Sequence, residues 1–284
     1  MLPLKVHVYR DNAGNDWTNL KQIDVEDVII IINDLFRNTN SGIQFYITEI
    51  DFENNENWRT GIDTQAELFA FFALRRADGE LNLHLLDHAD IDADGFAITP
   101  FIPSTQISNI GAIKWSCFTA TQSGDLDYIA KVAAHELGHT LGLLHTHHPG
   151  RLLSLASNSD NATISNSCYQ EMRDRNHENN FAPFNNEWCR LTNGDLSCEI
   201  NGDFLCDTEA DPNVSSDLVN NGVTSVTDIS PCTYFNNSTN ADYDADNLGG
   251  TWTPPITNIM SYSHTTCQDE FTPMQTGAMW HYIE

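Results

Sequence analysis

The chain has 284 residues, with forty Asp and Glu against thirteen Lys and Arg, a formal charge of -27. Such a field repels phosphate backbones and anionic lipid surfaces, which excludes nucleic acid as a natural partner. A hydrophobic fraction of 40% and an aromatic fraction of 10% belong to a folded globular protein, and no apolar run reaches the ~18 residues of a membrane span, so no membrane insertion is expected.

Leu4 to Tyr9 alternates apolar and polar residues as a half-buried strand does, and an Asp/Asn/Gly turn follows. From Ile23 to Phe36 the residues Ile23, Val28, Ile31, Ile32, Leu35 and Phe36 recur at helical spacing, which predicts a helix packed on a sheet. Gly42 leads into a second strand, Ile43 to Thr48, and Thr64 to Arg75 predicts a second helix opening at an Asp/Thr cap. Leu81 to Leu86 is strand-like. Phe96 to Phe101 is a further strand, placed near an edge by Pro100 and Pro103 because proline cannot donate to a ladder. An edge strand can seat an extended peptide by main-chain pairing, so Gly95, Phe96, Ala97, Ile98 and Thr99 are candidate substrate-binding residues.

The long helix predicted next, from about Ser123 or Asp125 to Leu141, carries His135-Glu136-Leu137-Gly138-His139 and continues to Gly142 and His145. Two histidines four residues apart share one face of a helix and can point at a single metal, with Glu136 beside them as general base. Ten residues of unbroken helix would carry His145 roughly 15 Å from His135, whereas two ligands of one zinc lie at most about 4 Å apart. The helix must therefore break before His145. Gly142 is where it can, since glycine enters the left-handed conformation without a side-chain clash. Three neutral imidazoles leave the fourth tetrahedral position open, the pattern of a catalytic zinc.

Beyond His145 periodicity disappears, and 146 to 200 and 212 to 250 read as long irregular loops before a last helix, Thr272 to Ile283. Six of the seven cysteines (Cys168, Cys189, Cys198, Cys206, Cys232, Cys267) follow the zinc helix, which suggests disulfides and an oxidising compartment, while Cys117 is expected to be a buried thiol. Met1-Leu2-Pro3 has neither a basic nor an apolar leader region, so a mature secreted domain with a start methionine is expected. Asp90-Ile91-Asp92-Ala93-Asp94-Gly95 copies half a calcium loop, but its twelfth position is Phe101, which favours a solvated acidic turn. Asp242, Asp244 and Asp246 alternate in the same way. Asn161, Asn213, Asn236 and Asn237 stand in N-x-S/T sequences that chance explains in such a composition. Asn258-Ile259-Met260-Ser261-Tyr262 gains meaning from the zinc helix: Met260 can form an apolar floor under the histidines, and Tyr262 can lean in on the metal or an oxyanion.

These residues resemble the metzincin metallopeptidases, and among them the pappalysin family. Thr146 after the third histidine looks like that branch, and Gly202-Asp203-Phe204-Leu205-Cys206-Asp207-Thr208 is similar to its GDxVxDTP calcium segment, with Leu205 for valine and Glu209 in place of proline. The likeness returns in Asn258 to Ser263, Cys267 and Phe271 to Gln275. It implies an α+β fold: a twisted, mixed five-stranded sheet with helices and an irregular C-terminal subdomain. One catalytic domain, 1–284, would divide into 1–145 and 146–284. The resemblance also implies a secreted, monomeric zinc endopeptidase acting on protein or peptide substrates. Zinc would sit on His135, His139 and His145, structural calcium on Asp203, Asp207 and Thr208, and a disulfide would join Cys232 to Cys267. Thr265 stands where arginine-preferring members carry an acidic residue, with Asp269 and Glu270 nearby. Two rivals are a non-proteolytic binding or adhesion domain whose cleft the insertions close, and a zinc amidase acting on cell-wall peptides. Neither accounts for the Met260 turn.

Overall fold

The computed structural model describes residues 1–15, 21–60, 62, 64–86, 95–97, 109–114, 126–146, 203–209, 211, 254–263 and 265–283. The chain divides into two compact units, Met1–Leu143 with Asp269–Phe271 and Thr276–Glu284, and Leu144–Gln268 with Thr272–Gln275.

The first unit is built on β1 (Leu2–Arg10), α1 (Gln22–Asn38), β2 (Phe45–Asn54), α2 (Glu56–Thr60), α3 (Gln65–Arg75), β3 (Leu81–Leu86), β4 (Gly95–Ala97), β5 (Ile110–Lys114) and α4 (Leu126–Thr140). The strands form one mixed sheet in the order β2-β1-β3-β5-β4. All neighbours run parallel except β4, which lies antiparallel to β5 at the edge with Gly95 opposite Ile113 and Ala97 opposite Gly111. The α+β architecture and the five-stranded mixed sheet are therefore as expected.

Alternation along β1 and β3 sends Val6, Leu83 and Leu85, with Ile113 of β5, toward Val25, Val28 and Ile29 of α1 and Ile129 of α4. The opposite face gathers Tyr9, Leu86, Ile110 and Ala112 with Leu68, Phe71 and Phe72 of α3. Full burial of each such large side chain stabilises the fold by about 1.5 to 3 kcal/mol before entropy is counted. The α1 stripe differs from the expected one: Ile23 is 53% exposed, and Val25 and Ile29 are buried instead. The helix opens at Gln22 with the Lys21 N–H held by Asp24 at 2.8 Å, so the inward stripe begins at Val25 and runs on through Val28, Ile29, Ile32, Leu35 and Phe36. Thr64 caps α3 as predicted, its hydroxyl accepting the Glu67 N–H while the Glu67 carboxylate accepts the Thr64 N–H. β2 runs six residues past the predicted end at Thr48, to Asn54, because it pairs along all of β1.

The last helix is α5 (Pro273–Ile283). Its later turns belong to the first unit, where the Trp280 indole donates to the Ser41 carbonyl at 2.7 Å. In the second unit Cys206 and Cys267 each form a disulfide, and Cys232, expected to pair with Cys267, lies outside the described residues.

Beneath α3 the sheet buries a stack that sequence reasoning did not anticipate. The rings of His7 and His84 lie parallel with centroids 4.4 Å apart, and Tyr9 Oη is hydrogen-bonded to His84 Nδ1 at 3.0 Å. Burial, then the charges of His7 and Arg75, hold His84 well below the usual imidazole range. Burial likewise lowers His7, partly opposed by its hydrogen bond to Asn82. An imidazole whose folded pKa lies below the unfolded value of about 6.5 binds more protons when unfolded, so it costs no stability above that pH and an increasing amount as pH falls below it. The melting temperature is accordingly expected to fall between pH 7.5 and pH 5, with a shallower slope in His84→Phe. Equal slopes in both proteins would refute the assignment.

Candidate metal centre and active site

Helix α4 is buried from Ile129 to Thr140, and Lys131 covers its stem there while its ammonium pairs with Asp127 one turn back at 3.1 Å. The helix ends as the glycine predicts. Gly142 has φ +90°, its N–H donates to the His139 carbonyl at 3.0 Å, and the Leu143 N–H reaches back to the Gly138 carbonyl at 3.0 Å. These are the two bonds of a Schellman cap, and they reverse the chain right after the second histidine.

This reversal brings the third imidazole to the other two. One ligand atom from each of His135, His139 and His145 falls within 4.8 Å of the others. Nε2 of His135 and Nε2 of His139 are 3.1 Å apart with their rings nearly perpendicular. That geometry has two lone pairs aimed at one point. Two nitrogens on a tetrahedral zinc, each at about 2.0 to 2.1 Å from it, are about 3.4 Å apart, so the donor set fits zinc. His139 Nδ1 donates to the Leu143 carbonyl at 2.8 Å, which fixes the ring and turns Nε2 toward the metal position. The cap that turns the chain therefore also orients a ligand.

Glu136 is 6% exposed, and burial pushes its carboxyl well above the ordinary range. A nearby dication acts in the opposite sense and favours the carboxylate. Its surroundings are two glycines that sequence reasoning did not connect with it. A Cβ placed on Gly95 would collide with Glu136 Oε1 and lie 2.7 Å from its Cγ, and one on Gly111 would meet Glu136 Cβ at 3.4 Å. Gly95, expected to contact substrate through the edge strand, therefore also touches the candidate general base through its bare backbone.

In the second unit, Met260 is fully buried in a turn braced by Asn258, whose side-chain oxygen accepts the Met260 N–H at 2.8 Å. Thr146, directly after His145, donates its N–H to the Met260 carbonyl at 3.2 Å. Tyr262 is 42% exposed, and its ring lies edge-on to His145 with centroids 4.5 Å apart.

The structure as a whole is similar to mature mirolysin of Tannerella forsythia in complex with a cleaved peptide, at 16% identity over 98% of this chain and 89% of that one, with a TM-score of 0.54. It is also similar to mirolysin in complex with compound 9, at 17% identity over 98% and 90% of the two chains, again with a TM-score of 0.54. At these identities the likeness is one of fold. Independently, the profile of the matrixin peptidase family matches residues 39–171, which include all three histidines and Glu136. The matched stretch is a little under half of the chain. No curated protein matches its sequence.

The segment expected to hold calcium uses its carboxylates on protein donors. Asp203 accepts from the Thr208 hydroxyl at 2.9 Å, the Gln275 amide at 3.0 Å and the Leu205 N–H at 3.1 Å. Asp207 accepts the Thr272 hydroxyl at 2.8 Å and the Met274 N–H at 2.7 Å, which caps α5 and suits the positive end of its dipole. Among the described residues only the histidine triad converges as a metal-binding group. Thr265 opens a short 3-10 turn, Thr265–Cys267. Partial burial and the charge of Glu270 raise the Asp269 carboxyl, with Lys131 opposing. Ile98, Thr99, the acidic turn 90–94, Asp242, Asp244 and Asp246 lie outside the described residues.

Proposed function

We propose that this chain is a metzincin, a zinc metalloendopeptidase that hydrolyses peptide bonds within extended protein segments. The observation that carries the reading is the convergence of three imidazole nitrogens within 4.8 Å, with Glu136 next to the first of them on the same helix. When bound there, zinc would supply Lewis acidity, making water more acidic and the scissile carbonyl more electrophilic. Glu136 would accept the proton of the attacking water and return it to the departing amine. Tyr262, with its ring against His145, would donate a hydrogen bond from its phenol to the carbonyl oxygen as negative charge develops, a contribution of about 3 kcal/mol in comparable sites. The edge strand β4 would pair with the substrate main chain, and Thr265, Asp269 and Glu270 would bear on side-chain preference.

Membership of the pappalysin branch, secretion, a monomeric state and a structural calcium near Asp203, Asp207 and Thr208 belong to the same proposal. The disulfide-bonded Cys206 and Cys267 support an oxidising compartment. Purified protein is expected to hold close to one zinc per chain and to cut internal bonds of a mixed peptide library, and His145→Ala to lose both properties. A wild-type chain that holds zinc and cuts nothing would favour the closed-cleft binding domain.

A further inference from the structure

Two of the three candidate zinc ligands ride on α4, whose geometry is set by its own hydrogen bonds. The third, His145, stands on irregular chain, so something outside a helix must hold it. Thr146 follows it immediately and is fully buried. Its hydroxyl donates at 2.5 Å to Oδ2 of Asp211, and the same oxygen accepts the Ser261 hydroxyl at 3.2 Å. Asp211 is 4% exposed and Ser261 is fully buried. One carboxylate oxygen therefore links the residue after His145 to the residue after Met260, sixty-five and fifty positions away from it respectively.

We infer that Asp211 is a positioning residue of the metal centre, which holds the His145 segment against the Met260 turn through the hydroxyls of Thr146 and Ser261. The inference rests on the zinc-peptidase reading. The Thr146 N–H bond to the Met260 carbonyl is one main-chain attachment of the His145 segment. The Asp211 bridge adds a second on the side-chain side. It also acts on Tyr262, since Ser261 precedes it and Tyr262 packs on His145. A hydrogen bond to an ionised acceptor in a buried site is stronger than a neutral one, so a carboxylate suits this post better than an amide. Asp211 is not part of the converging imidazole group, and it acts through the segments it joins.

The test compares wild type, Asp211→Leu, Asp211→Asn, Thr146→Val and Ser261→Ala as full chains. Zinc affinity is measured by chelator competition, and ligand geometry by the visible absorption of the cobalt(II) form. Loss of a residue that orients a metal ligand typically weakens metal binding by about 10 to 100-fold. Asp211→Leu and Thr146→Val are expected to fall in that range, with altered cobalt bands. Asp211→Asn, which keeps an acceptor oxygen, is expected to lose less. In the Thr146→Val/Asp211→Asn double variant the losses should not add, because both act through one bond. If Asp211→Leu does not fold, the two hydroxyl deletions decide. A wild type that binds zinc while the variants match it in affinity and spectrum, whatever their melting temperatures, overturns this inference alone. A wild type that holds no zinc overturns the peptidase reading and this inference with it.

Discussion

Glu136→Gln is expected to lower kcat for peptide cleavage by about 10² to 10⁴-fold or more, the usual contribution of a positioned general base, with zinc content unchanged. The substitution keeps the shape of the side chain and removes only its ability to take a proton. Stability should move the other way. Desolvation is what raises the Glu136 carboxyl, so in metal-free protein a neutral amide in the same place avoids that penalty. The metal-free variant should therefore melt at or above the wild-type temperature. A Glu136→Gln protein that still cleaves at near the wild-type rate would remove Glu136 from the mechanism. One that loses zinc as well would show that the carboxylate helps build the site instead of serving it.

Gly95→Ala should reduce kcat by about 10²-fold, the scale of loss that a misplacement of roughly 1 Å produces in a catalytic group. The new methyl would run into Glu136 Oε1 and lie 2.8 Å from Cδ, so either the carboxylate turns away or β4 lifts from β5. Glu136 is buried, and even a Cβ on Gly111 would meet the Glu136 Cβ at 3.4 Å, so the side chain has little room to move. Overpacking of this kind costs typically about 1 to 3 kcal/mol, so a drop in melting temperature of some degrees should accompany the loss of activity. Gly277→Ala is the control: nothing lies within 4 Å of its Cβ, and alanine suits a helix better than glycine, so it should keep activity and melt slightly higher. Activity preserved in Gly95→Ala would mean that Glu136 does not need the bare backbone beside it.

The residues that sequence reasoning located are those whose geometry is set by near neighbours. Two histidines a helical turn apart, a glycine three residues further and a third histidine after it fall within eleven residues, and local hydrogen bonding sets the helix and the point at which it ends. The Schellman bonds at Gly142 and the Nδ1 contact from His139 to Leu143 are of that kind. The capping box at Thr64 was legible for the same reason. The short strand β5 was missed, because Gly111 and Ala112 give it neither alternation nor bulk and it forms only by pairing with β3 and β4. Metzincin resemblance supplied the Met260 turn and Tyr262, which no local pattern would have linked to the histidines.

By itself, then, the sequence determined the metal chemistry: the three imidazoles, the carboxylate beside them and the point at which the helix must end, all written into one continuous stretch. What only the tertiary structure decided is what surrounds that stretch. Gly95 lies against Glu136 because β4 comes in antiparallel at the sheet edge. His7 and His84 stack because β1 and β3 are parallel neighbours in register. Asp211 reaches Thr146 across sixty-five residues of chain. Each of these depends on pairing between distant segments, which is set by the summed burial of many side chains, and no local spacing encodes it.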